Sequence, residues 1–318
     1  MYLVISEADD NHVPYVERHL DEPFTVLTTR DILDQKACSY ELNNGNTIIT
    51  RNGHQLKNVQ SVWFRRLLII RGSELPVAPG KQEYAQGALK YFGMLLFTQF
   101  PDALWVSDYF ITDRADDKLL QLQTAAKIGL NVPHTLITTS TEKAKAFVRV
   151  HKHAIAKPNY SARFQQNDKD YVFFTSRIDT NTDFSGLHMA PAILQQAIEV
   201  KTELRITVVG DQVFAASIQE EPKTIPAHIR DWRLTHLVED VIFHAFDLPQ
   251  KLADQCITVV KELGLQFGAI DAIIDTHGKF WFLENNANGQ WLFIEKATGL
   301  PIGKALAQLL MQGKSKSK

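Results

Sequence analysis

The stretch FLENNANGQW, residues 282–291, places one acid and three asparagines directly after an apolar run. Amides at this density build either a polar turn or a set of oxygen donors. On an extended segment residues i and i+2 point the same way, so Glu284 and Asn286 can hold one cation between them. A second acid, Asp271, sits within the apolar run GAIDAIID, where an unpaired carboxylate is costly to bury. Magnesium takes hard oxygen ligands, a few of them from protein, and Asp271, Glu284 and Asn286 supply such a set. Cysteine chemistry has little to work with. Cys38 and Cys256 are far apart and lack metal-ligand spacing, which reads as reduced structural thiols in a cytosolic protein. The 11 histidines are scattered and read as ordinary surface or core residues, and no Ser/His/Asp or Cys/His array is evident.

The elements that must position these groups follow from periodicity. Apolar runs at 2–6, 24–29 and 61–66 read as strands, with a polar hairpin turning at NNGN (43–46) between the last two. Residues 81–100 repeat apolar positions at helical spacing. Their most apolar window, 91–100, is about half a bilayer span and reads as a core helix. A helix capped by Asp113 or Asp116 runs to Gly129, and a second, capped by Ser or Thr, covers 140–151. Strands are expected at 153–160, 171–178 and 190–198, then a hairpin over 203–219 turning at Gly210-Asp211. A helix ending near 265 precedes an antiparallel pair at 268–275 and 280–286, and a final helix covers 301–311. With 318 residues, the chain can bury a large core in two or three subdomains. A formal net charge of −2 argues against a generic nucleic-acid binder, and the amino terminus lacks the pattern of a signal peptide. A cytoplasmic enzyme with no membrane partner is the expectation.

Four features occur in order: Asp117-Lys118 opening a helix, Lys157 at a strand end in AIAKP, ILQQAI followed by Glu203-Leu204-Arg205, and the pair GAIDAIID and FLENN. This order resembles the ATP-grasp superfamily from about Asp113 to the carboxyl end. The resemblance implies an α/β fold with an N-terminal pre-ATP-grasp domain (1–112), a central subdomain (113–194) and a C-terminal antiparallel-sheet subdomain (195–318), with nucleotide between the last two. It implies ATP and Mg2+ as cofactors. Lys118 and Lys157 would meet the phosphates as point charges. Backbone groups of Gln195, Gln196, Ala197 and Ile198 would read the adenine edge, Glu203 would take the ribose hydroxyls, and Asp271, Glu284 and Asn286 would carry the metal. Arg205, on the same strand face as Glu203, and Arg233, in the RDWR loop, are the candidates to stabilise charge on the transferred phosphoryl group. One departure stands out: the segment PNYSARFQQND after Lys157 has no glycine. Phosphate contact there would come from Ser161, Arg163 or a stiffer backbone.

VWFRR (62–66), the hairpin TELRITVVGDQVFAASI and LENNANGQWLFIE look like those of the microviridin-type macrocyclases, also called graspetide synthetases. This likeness covers nearly the whole chain. It implies a ligase that joins Asp or Glu side chains of a ribosomally made precursor peptide to Thr, Ser or Lys side chains, through ω-esters or ω-amides. The peptide's leader would dock near the Gly210 hairpin and its neighbouring helix, and Arg65 and Arg66 would join the cations facing a substrate carboxylate. Homodimers are usual in that family, and the apolar helix within 81–100 could supply an interface. Asp231, Glu239 or the substrate itself could serve as base. Two other readings remain: an amino-acid (glutamate) ligase acting on a protein or peptide terminus, and a non-catalytic nucleotide-binding regulator.

Overall fold

The computed structural model describes residues 1–7, 9–28, 31, 38–66, 75–159, 163–166, 169–172, 175–220 and 241–313, with backbone alone at 163–166, 169–172 and 220. The chain opens with β1 (Tyr2–Ile5), α1 (His12–Glu17), β2 (Phe24–Leu27), β3 (Cys38–Asn43), β4 (Asn46–Arg51), β5 (His54–Gln55), β6 (Ser61–Phe64), α2 (Gln82–Met94) and β7 (Leu104–Val106). β1 is apolar, β6 is apolar after Ser61, and both bury every residue, as strands covered on both faces must. They form the centre of a parallel sheet ordered β2-β1-β6-β7. The expected polar hairpin is β3-β4. It turns where Asn44 and Gly45 both take positive φ, the conformation that an Asn-Gly pair adopts at least cost.

The helix expected over 81–100 differs from its sequence reading. α2 stops at Met94 and buries none of its residues, with Tyr84 82% and Tyr91 70% exposed. Leu96 and Phe97, in the 3-10 turn that follows, are buried in the core, and Met94 and Phe100 pack against it half-buried. Periodicity reported a stripe; it could not report whether anything covers it.

Next come α3 (Tyr109–Ala115), α4 (Lys118–Lys127), β8 (Thr135–Thr138), α5 (Thr141–Val150), β9 (Ala154–Pro158), β10 (Arg163–Gln166), β11 (Lys169–Val172), β12 (Ser176–Ile178) and β13 (Ala192–Gln196). One helix was expected before Gly129; there are two. Asp108 caps α3, and Asp117, rather than Asp113 or Asp116, caps α4 by accepting from Leu119 N at 2.8 Å and Leu120 N at 3.0 Å. The strand expected over 171–178 is likewise two elements, β11 and β12. A four-stranded sheet, β12-β9-β13-β8, is antiparallel at every pair, and β10-β11 forms a hairpin beside it. β13 runs to Gln196, across the expected subdomain boundary at 194/195.

The last part holds β14 (Val200–Val209), β15 (Gln212–Glu220), β16 (Val241–Ala245), α6 (Gln250–Glu262), β17 (Phe267–Asp275), β18 (Phe280–Asn286), α7 (Leu292–Thr298) and α8 (Ile302–Met311). Its sheet is antiparallel, ordered β16-β15-β14-β17-β18. Alternation sorts the two faces. Leu204, Ile206, Val208, Ile270, Ala272 and Phe282 pack with α4 and α6. The other face places Val209, Phe214 and Ala269 against Trp291, Ile294 and Leu306 of the α7–α8 region, whose far side meets Tyr2, Val4 and Trp63 of the first sheet. One core therefore joins the N-terminal unit to the sheet that carries the acids.

Candidate functional site

Glu284 and Phe282 are two residues apart on β18, and regular alternation would put them on the same face. They need opposite environments. The register resolves this with a bulge: Asp271 pairs with Glu284, but Ala272 pairs with Phe282, leaving Leu283 as the extra residue. Phe282 enters the core, whereas Glu284 turns to the open face beside Asp271. On the adjacent strand Arg205 lies directly opposite Asp271. Its Nη1 donates to Asp271 Oδ1 at 2.8 Å and its Nη2 to Gln290 O at 3.1 Å. Asn286 Nδ2 donates to the second oxygen, Asp271 Oδ2, at 3.1 Å. Lys118, in the first turn of α4, brings Nζ to 3.1 Å from Glu284 Oε2.

Helix α4 is locked to this strand by Gln121, one turn after Lys118 and fully buried. Its Nε2 donates to Asn285 O at 2.7 Å and Ala115 O at 2.6 Å, while its Oε1 accepts from Asn285 N at 3.0 Å. One amide thus satisfies both backbone groups of the residue between Glu284 and Asn286. Sequence reading missed Gln121, because a glutamine inside a helix carries no signal until its partner is known.

A cleft of about 800 Å3 runs between the two antiparallel sheets. Lys157 reaches it from β9, Gln195 and Gln196 from β13, Ala197 and Ile198 from the connection, Glu203 from β14, and Asp271 and Glu284 from its far end. The volume lies within the 300–1,000 Å3 typical of small-molecule sites. The connection narrows the sequence reading. Gln196 N and Ala197 N already donate to His134 O at 2.9 Å and His153 O at 3.0 Å. These two N–H groups are therefore not open to a ligand as they stand, whatever the carbonyls of the connection offer. Gln195 Oε1 is buried without a partner, although its Nε2 donates to Thr135 Oγ1 at 3.0 Å. Arg177 and Asp179, just across from β9, also line the cleft. Sequence reading missed them by running β11 and β12 together.

The remaining expected residues divide. Arg205 was expected to point into the cleft; it is 5% exposed, with Nη1 on Asp271 and Nη2 on Gln290 O, and its Nε is buried without a partner. Arg65, expected among the cations facing substrate, is 1% exposed; its Nε donates to Asp10 Oδ2 at 3.2 Å. Arg66 is exposed and lines a smaller hollow with Glu7, Asp9 and Lys296. Arg233 and Ser161, with the candidate bases Asp231 and Glu239, lie outside the described residues. Only the backbone of Arg163, in β10, is described.

Two antiparallel sheets enclosing a cleft, with Lys157 on its wall and a carboxylate–amide set at its end, are the arrangement of an ATP-grasp fold. Residues 115–310 match the RimK-like ATP-grasp domain, and the chain belongs to that family. It is an ATP-dependent ligase by family, as the sequence reading expected. Similarity to solved structures extends over the whole chain. A RiPP-associated ATP-grasp ligase of Chryseobacterium gregarium, solved with ADP and a leader and core peptide, is 26% identical with a TM-score of 0.88, covering 98% of this chain and 96% of that one. The macrocyclase MdnC of Microcystis aeruginosa MRC, bound with its precursor peptide MdnA, is also 26% identical, with a TM-score of 0.83 and coverage of 98% and 99%. The resemblance to peptide macrocyclases drawn from sequence is borne out. Among curated proteins, a probable alpha-L-glutamate ligase of Enterobacter sp. (strain 638) is 26% identical over 281 residues, 87% of this chain and 85% of its own. The chain spans 40% of the N-terminal section of the carbamoyl phosphate synthase large chain of Aquifex aeolicus, at 23% identity. Among the described residues no helix is long and apolar enough to cross a membrane.

Proposed function

We propose that this protein activates Asp or Glu side-chain carboxylates of a ribosomally made precursor peptide as acyl phosphates. Ring closure with Thr, Ser or Lys side chains of the same peptide then gives ω-esters or ω-amides. The observation that carries this reading is the full-length likeness. The RimK-like domain begins at residue 115, whereas the similarity to the two peptide ligases includes the N-terminal unit as well.

The residues fit magnesium and a nucleotide. Asp271 and Glu284, from paired positions of adjacent strands, and Asn286, two residues on from Glu284, offer hard oxygens, the donor type magnesium prefers. Magnesium held there supplies charge neutralisation at the phosphate oxygens. The chain's own groups do the rest. Lys118 and Lys157 bring positive charge to the phosphates, Glu203 accepts from ribose hydroxyls, and Ile198 meets the base edge through its backbone. Arg205 orients Asp271 and adds positive charge behind it, and we retain Arg233 as the candidate that meets the transferred phosphoryl group. No nucleophile from the protein is required. The substrate carboxylate attacks the terminal phosphorus, ADP leaves, and the acceptor hydroxyl or amine then displaces phosphate. A cytoplasmic location, and division of the chain near residues 112 and 194, belong to the same proposal.

With Mg-ATP and a precursor peptide encoded nearby, the expected product has lost one water per ring, with ADP released. The likeness to the glutamate ligase sustains a second reading, in which the peptide gains the mass of a glutamate residue. Glu284→Gln is expected to abolish turnover with the fold intact, as read by circular dichroism; full activity would defeat the metal assignment.

A further inference from the structure

The loop Ala287–Gln290 leaves the proposed metal set at Asn286 and enters α7. Two buried guanidinium groups hold its carbonyls from opposite sides: Arg205 Nη2 donates to Gln290 O at 3.1 Å and Arg65 Nη1 to Asn288 O at 3.3 Å. In the amide orientation that satisfies both its ends, Asn288 also donates to Phe64 O at 3.0 Å, a further tie to β6. Arg65 is itself fixed. Asp10 accepts from its Nε at 3.2 Å, from Ser6 Oγ at 2.7 Å, and from His12 through both backbone N at 3.0 Å and ring Nδ1 at 2.7 Å.

The imidazole completes the connection. With Nδ1–H donating to Asp10, a neutral ring has Nε2 left as an acceptor. Nε2 lies 3.4 Å from the N–H groups of both Trp291 and Leu292, which open α7 and have no partners within the helix. The ring also packs edge-on to Trp291 at 5.1 Å between centroids. Asp10, His12 and Arg65 follow the carboxyl ends of β1 and β6, which are neighbours in the parallel sheet. The N-terminal unit therefore grips both ends of a short segment whose first neighbour is Asn286.

We propose that Arg65, Asp10 and His12 are positioning residues that set Asn286 as a metal ligand and Arg205 as the partner that orients Asp271, and that Arg65 does not meet the substrate. The inference rests on the assignment of Asp271, Glu284 and Asn286 to magnesium. Groups that orient ligands from behind cost about 10–100-fold in metal affinity when removed.

The test compares wild-type protein with Arg65→Lys, which keeps the charge but loses the fork that reaches Asp10 and Asn288 together. Hydrogen exchange of residues 287–292 is read in the protein alone, and the magnesium half-saturation of ADP binding by calorimetry. Faster exchange, with half-saturation raised about tenfold or more and the peptide KM unchanged, is the expected result. A raised peptide KM with unchanged exchange and unchanged magnesium dependence would overturn it and make Arg65 a substrate contact. A lower unfolding temperature with neither change would also overturn it, leaving a purely structural role. Should Arg65→Lys not fold, His12→Gln serves instead. It retains an acceptor near the Trp291 and Leu292 N–H groups but loses the ring Nδ1 donor to Asp10, and the same pair of changes is expected at smaller size. If wild-type protein binds no Mg-ADP, the functional reading fails while the exchange comparison still decides whether the segment is held.

Discussion

Gly289 packs too closely against the site to admit a side chain, and Gly289→Ala measures how closely the loop must sit. A Cβ built there would lie 2.5 Å from Ala269 Cβ, 2.6 Å from Arg205 Nη2 and 3.2 Å from Asn286 Cβ. Carbon atoms sit best at about 3.5–4.0 Å, so the loop would have to rise by about 1 Å to admit the methyl group. Ala269 belongs to β17 and is fully buried, so it cannot yield. Arg205 can move only by giving up Asp271 Oδ1 or Gln290 O. Overpacking of this kind costs about 1–3 kcal/mol. A displacement of about 1 Å at reacting groups lowers turnover about a hundredfold. Urea denaturation reads the first figure and peptide-dependent ADP release the second. Gly87→Ala is the control: it lies inside α2 with nothing within 4 Å, and is expected to stabilise by about 0.5–1 kcal/mol. Wild-type stability and turnover in Gly289→Ala would refute the steric reasoning.

Gln121→Leu strips the partners from Asn285 N, Asn285 O and Ala115 O in a fully buried site. Stranded backbone groups cost roughly 1–3 kcal/mol each, so a loss of at least about 3 kcal/mol is expected by urea denaturation, with weaker magnesium binding because Lys118 and Glu284 lose their common frame. Acid should destabilise the fold in two stages. Burial holds His12 below its ordinary value of 6.5. Asp10, despite the upward push of burial, is held well below 3.8 by the His12 hydrogen bond and the Arg65 charge. In both cases the unfolded chain binds the proton more readily. The His12 contribution is therefore intact above about pH 6.5 and declines below it, and that of Asp10 begins to decline below about 3.8. A pH series of denaturation midpoints checks this. His12→Gln should flatten the upper stage, and an unchanged upper stage would count against the buried neutral ring.

Much of the site can be read from residue order alone. Lys118 stands at a helix start, Lys157, Glu284 and Asn286 at or near strand ends, and Glu203 and Asp271 within strands, and local patterns of period 2 or 3.6 suffice to place them. Lys157, Glu203, Asp271 and Glu284 do line one cleft, and Lys118 and Asn286 bond to its end. Local patterns carry no information about partners. Arg205 and Arg65 looked like open cations because charge predicts exposure, yet both are buried on carboxylates. The bulge at Leu283, which separates Glu284 from Phe282, arises from pairing two strands whose faces must satisfy both core and cleft. His12 and Trp291 are 279 residues apart, and Arg65 and Asn288 are 223 apart. Contacts at such separations form only when the whole chain closes around one core. The chemistry of the groups is written residue by residue, but which of them face the cleft and which stand behind it is decided by packing.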